Sequence, residues 1–148
     1  MDDLDLRIRN HLYGSFVRNG TAALPAEAAA ALSLEEGAVA ESYRRLHDAH
    51  ALVLELGETR IRMLNPFSAV ETSYRVEADG RQWYGNCAWD ALGILHALGT
   101  DGRVESSCPD CGEPLELEVV DGTLVRGAEL VVHFVVPACN WWADIVST

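Results

Sequence analysis

The sequence predicts an α+β fold: a three-helix unit of winged-helix type, then a small mixed or antiparallel sheet with one helix laid against it. Three observations predict it. Apolar residues recur at helical spacing through the first fifty positions. Short β-branched runs punctuated by Gly and Asp turns follow. One helical stretch, 87–98, interrupts those runs. Asn65-Pro66-Phe67-Ser68 has the composition of a linker and divides the chain into 1–68 and 69–148.

In the first unit, Leu4, Ile8, Leu12 and Phe16 mark a helix over 3–18, closed near Gly20. Pro25 opens a second helix, 25–32, at a position where its missing N–H costs nothing. Ser33 with Glu36 three residues on reads as a capping box for a third helix, 34–50. Residues 51–56 and 60–64, joined by Gly57-Glu58-Thr59, read as a β-hairpin. In the second unit, strands are expected over 70–77, 81–84, 102–107, 115–120 and 130–136. Gly99 caps the helix 87–98, and a further helical turn begins at Trp141.

Composition narrows the function. The chain has 148 residues, 49% of them apolar, which suffices for a proper core. Its formal net charge is −12, from 23 acidic residues against 11 arginines and no lysine. Residues 1–68 carry −3 and residues 69–148 carry −9. Arg44 and Arg45 lie on the helix that a winged-helix domain would offer to DNA, but this balance argues against a nucleic-acid partner. A structural or dimerising use of the first unit is favoured, which leaves a homodimer open. No apolar run reaches membrane-spanning length, and the acidic N-terminus does not resemble a secretory signal, so a cytoplasmic protein is expected.

The chemistry centres on Asn86-Cys87-Ala88-Trp89-Asp90. With Asn86 as cap, Cys87 falls in the first helical turn and Asp90 three residues on, so a thiol and a carboxylate share one face. The helix N-terminus favours the thiolate, and the carboxylate can exchange a proton with it. Three more cysteines follow: Cys108, Cys111 and Cys139. Cys108-Pro109-Asp110-Cys111-Gly112 is a knuckle that can supply half of a Zn²⁺ site. The remaining zinc ligands would come from Cys87, Cys139, His96 or His133. His133 sits in an apolar run and reads first as a core histidine. The four tryptophans read as core or as walls of a pocket for an apolar group.

The stretch from Trp83 to Gly93 resembles the catalytic segment of the alkylmercury (organomercurial) lyase family. The resemblance continues through Ser106-Ser107-Cys108, Gly112-Glu113-Pro114 and Val132–Pro137 into Trp141-Trp142, and so covers most of residues 70–148. It implies protonolysis of a carbon–mercury bond: two thiolates bind the metal and a carboxylate carries a proton to the leaving carbon. Cys87 matches the first mercury ligand and Asp90 the proton carrier. No cofactor is then required, and the partner is a small organometallic or thiophilic ligand. The family's second catalytic cysteine is expected beyond Trp141-Trp142, at about the position of Thr148, and Cys139 precedes those tryptophans and does not align with it. Within these residues Cys108 and Cys111 are the candidates for a second thiol. Two other functions fit the same residues. One is a non-catalytic binder of zinc, copper or mercury through Cys87, Cys108 and Cys111; the other is a metal-responsive winged-helix regulator.

Overall fold

A computed structural model describes residues 1–134, 136–143 and 145. Helix α1 (Asp3–Asn19) starts at a capping box in which Asp2 accepts from the Asp5 N–H at 2.8 Å and Asp5 reciprocates at 3.2 Å. It ends at Gly20, in the left-handed region at φ 72°. Helix α2 (Pro25–Leu32) and helix α3 (Glu36–Asp48) complete the helical unit. Ser33 does not cap α3. It closes α2 in a left-handed conformation, and Glu35 stands at the start of α3. Leu34 donates to the Ala29 carbonyl across this turn, so the residues between the helices finish one before they begin the next.

Ile8, Leu12 and Phe16 on α1 meet Val39, Tyr43 and Leu46 on α3, all buried. Each such side chain contributes about 1.5–3 kcal/mol of burial. Polar groups pin the same contact. Asp5, only 2% exposed, accepts from Ser42 Oγ at 2.6 Å and from Arg45 at 2.6 Å. One of the two arginines on the would-be recognition helix is therefore committed to an intramolecular pair.

The strands are β1 (Val53–Leu54), β2 (Ile61–Leu64), β3 (Phe67–Ser68), β4 (Arg75–Ala78), β5 (Arg81–Gly85), β6 (Gly102–Ser107), β7 (Pro114–Val120) and β8 (Thr123–Arg126). They form one antiparallel sheet in the order β1-β2-β3-β5-β4-β6-β7-β8. The expected boundary at residue 68 falls on Ser68 of β3, which pairs with Met63 of β2 on one side and Tyr84 of β5 on the other. Trp83 on β5 is buried and donates its indole N–H to the Phe16 carbonyl at 2.9 Å, tying the sheet to α1.

Helix α4 (Ala88–Leu98) buries Ala91, Ile94 and Leu95 against β3, β4, β5 and β6. Gly85 permits the close approach. A Cβ there would lie 2.6 Å from the Ala91 nitrogen, so any side chain would push the first turn of α4 off the sheet.

The strand expected over 130–136 is not formed among its described residues; Val135 lies outside them. The hairpin β7–β8 takes the sheet edge instead, turning at Asp121-Gly122. Residues 130–132 face solvent, Val131 at 87% exposure, and His133 is exposed rather than in the core. The chain then forms a 3-10 helix over Ala138–Ala143. The helical turn expected to continue through residue 145 includes Asp144, which lies outside the described residues.

Candidate active site

Cys87 is the N-cap of α4, with φ −150° and ψ −179°, not its first helical residue. Its carbonyl accepts from the Ala91 N–H at 2.9 Å, the first hydrogen bond of the helix. Asn86 lies one residue before the cap, with its amide NH₂ turned to other partners. Its Nδ2 donates to Asp90 Oδ2 at 2.9 Å and reaches the Pro66 and Phe67 carbonyls at 3.4 and 3.5 Å. Three acceptors around one NH₂ fix the amide's orientation and leave its Oδ1 buried without a partner among the described residues.

Asp90 is the third residue of the helix, so thiol and carboxylate occupy the two ends of a capping-box spacing. The Cys87 thiol and the Asp90 carboxylate both line one cavity and lie near enough for each to shift the other's proton affinity. The Cys87 side chain makes no capping hydrogen bond to the first turn of α4.

Burial pushes the Cys87 thiol above its ordinary value. The backbone N–H groups of Asp90 and Trp89 work against that rise, and the neighbouring carboxylate adds to it. Burial also raises the Asp90 carboxyl, against the opposing pull of the Asn86 amide and the Cys87 thiol. Among the described residues Asp90 has no cationic partner. The arrangement stores one proton between sulfur and carboxylate. A raised carboxyl is the better acceptor for the thiol's proton, and a raised thiol holds that proton until something displaces it.

The pair opens into a cavity of about 100 Å³. Asn86, Cys87, Trp89 and Asp90 form one side, Met63 and Asn65 a second, and Phe134, Trp141 and Ile145 a third. The aromatic wall is packed edge on: Trp89 and Phe134 lie 5.1 Å apart at 76°, and Phe134 and Trp141 lie 4.9 Å apart. Trp141 is held by its indole N–H, which donates to the Val136 carbonyl at 2.8 Å. Tyr74, half-buried, lies near enough to Cys87 for a thiolate there to raise the phenol's pKa, after burial as the larger cause.

Cys108 and Cys111 stand at the β6–β7 turn and do not line this cavity. Cys139 is exposed on the 3-10 helix. All four cysteines are free. Among the described residues no three His, Cys, Asp or Glu side chains gather as a metal site, so Cys87, Cys108 and Cys111 do not form one three-thiol cluster. The knuckle brings two thiols where a structural zinc needs four ligands. No described helix is long and apolar enough to cross a membrane.

Sequence reading did not show Met63 and Asn65 as pocket residues, or the Asn86 amide as the partner of Asp90. Their separation along the chain hides the first two. Asparagine before a helix signals a cap first, which hides the third.

Residues 67–148, more than half of the chain, match the family model for MerB, alkylmercury lyase. The chain belongs to the alkylmercury lyase family. A solved structure described as the mercury-bound form of MerB2 superimposes with a TM-score of 0.69 at 23% identity, over 85% of this chain. At that identity the likeness establishes a shared α+β fold. The present chain spans 60% of that protein's length. The matched residues run from β3 through the aromatic wall and so include Cys87, Asp90 and the cavity lining apart from Met63 and Asn65, which precede them together with α1 to α3.

Proposed function

We propose that this protein cleaves the carbon–mercury bond of a small organomercurial by protonolysis, with Cys87 as mercury ligand and Asp90 as proton carrier. The observation that carries the reading is a thiol and a carboxylate that line the same aromatic-walled cavity, with no cation beside the carboxylate among the described residues. A soft thiolate suits a soft metal, and the aromatic wall suits the organic group. The mercury named in the description of the solved relative supports the same substrate class.

The sequence of events follows from the proton inventory. Asp90 takes the thiol proton as the Cys87 sulfur bonds to the mercury of R–Hg⁺. Asp90 then returns that proton to the carbon. The electron pair of the C–Hg bond becomes the new C–H bond, R–H departs, and Hg²⁺ stays on sulfur. The Asn86 amide holds Asp90 Oδ2 in place during both transfers. A second thiolate, from the protein or from a small thiol, completes the two-coordinate ion.

The test is benzene release from a phenylmercury salt. Cys87→Ser is expected to lose roughly 10³-fold or more in kcat/KM, since a hydroxyl neither binds mercury well nor ionises. Full activity in that variant would sink the proposal.

A further inference from the structure

Cys108 and Cys111 carry chemistry that the cavity does not use. The loop between them is closed at both ends. The Cys108 N–H donates to the Glu113 carbonyl at 2.8 Å, and the Gly112 N–H donates to the Cys108 carbonyl at 2.8 Å. Gly112 takes the left-handed conformation, φ 75°, that lets the chain turn into β7. Cys108 is half-buried and Cys111 exposed. The Cys108 thiol is held below the ordinary thiol value, first by the backbone N–H groups of Cys111 and Asp110 and then by the Cys111 thiol. The closed turn sets the two cysteines three residues apart on one preformed loop.

Two thiols with no third ligand among the described residues suit few ions. Zinc prefers four ligands. Mercury(II) is satisfied by two thiolates, and softness favours sulfur over every competing side chain.

The sheet puts this turn at the end where Cys87 lies. Tyr84, Arg75 and Glu105 form one row across β5, β4 and β6. Cys87 lies three residues beyond Tyr84 and Cys108 three beyond Glu105, both off the same end. Two strand spacings separate β5 from β6, about 10 Å.

We propose that the Cys108–Cys111 turn is a second mercury(II) site, a bis-thiolate that receives the ion after it leaves Cys87. It rests on the reading of Cys87 as the place where mercury is freed. The transfer is ligand exchange without redox change. Each new Hg–S bond replaces one to the donor, which is Cys87 or a small thiol carrier, and the departing thiolate takes up the proton that the incoming thiol gives up.

The experiment reads retained mercury, not cleavage. The full chain carrying Cys139→Ser and Cys87→Ser is loaded with mercuric chloride in excess glutathione, desalted and weighed by native mass spectrometry. It is expected to retain one mercury. Adding Cys108→Ser or Cys111→Ser should lower retention roughly tenfold or more, because a lone thiol loses the intramolecular second bond. Equal retention with and without the turn cysteines overturns the proposal, and so does a Cys87→Ser chain that retains none. Benzene release by the parent chain is scored separately, so failure of the second site is not confused with failure of the lyase reading.

Discussion

Asp5 and Asp90 each sit at the third position of a helix and are shielded from water, yet their environments drive them in opposite directions. Burial works to raise Asp5, but Arg45, Ser42 and the Asp2 N–H outweigh it and hold the carboxyl down at about 2. Asp90 meets an amide and a thiol instead of a guanidinium, and burial wins. A carboxylate given a cation is a clasp, here between α1 and α3. A carboxylate denied one keeps its proton affinity and can trade a proton with a neighbour.

The sharpest way to break this contrast is Asp90→Asn. Benzene release from phenylmercury should fall by roughly 10²–10⁴-fold, the range for loss of a positioned proton carrier. The same change should leave the fold as stable or more stable at neutral pH. The sign follows from linkage: a raised folded-state pKa contributes stability at acid pH that is lost as pH rises through it. Thermal melts of both proteins should converge on acidification, and a neutral-pH loss in the variant would count against an uncompensated Asp90.

Asp5→Ala should act on stability with little effect on the cleavage rate of the folded protein. The expected loss is about 2 kcal/mol at neutral pH, from charged hydrogen bonds to a half-exposed arginine. Asp5 is lowered, so its contribution is present above about pH 4 and fades as pH falls towards 2. Urea titrations at pH 7 and pH 3 should show the difference between wild type and variant shrinking with acidity. Asn86→Ala is the mildest cut. It frees Asp90 Oδ2, and the cleavage rate should drop about tenfold with KM little changed, as loss of one orienting hydrogen bond predicts.

Much of this was legible in the chain. Helices over 3–18 and 25–32 and the helix closed by Gly99 follow from apolar period and turn residues and appear at nearly those bounds, while the β-hairpin forms with its first strand reduced to Val53–Leu54. Capping was less legible. Ser33 is a good cap by type, but α2 had first use of it, and local hydrogen bonding alone does not rank two neighbouring helices. The run 130–136 has strand composition, yet none of its described residues pairs in the sheet, because β8 reaches the free edge first through a two-residue turn. A sheet edge is allotted by geometry, and hydrophobicity does not record which segment arrives.

The sequence by itself determined that Cys87 and Asp90 meet at the start of one helix, since an N-cap residue and the third helical residue are brought together by the first turn. Only the tertiary structure decided what surrounds them. The sheet carries Met63 and Asn65 to one side of the pair and the chain returns Phe134 and Trp141 to the other, contacts that no local period encodes. It also decided that Arg45 goes to Asp5 and that no described cation reaches Asp90. The pKa of a buried carboxyl depends on the charge beside it and on the water it has lost, and both are set by chain segments distant in sequence.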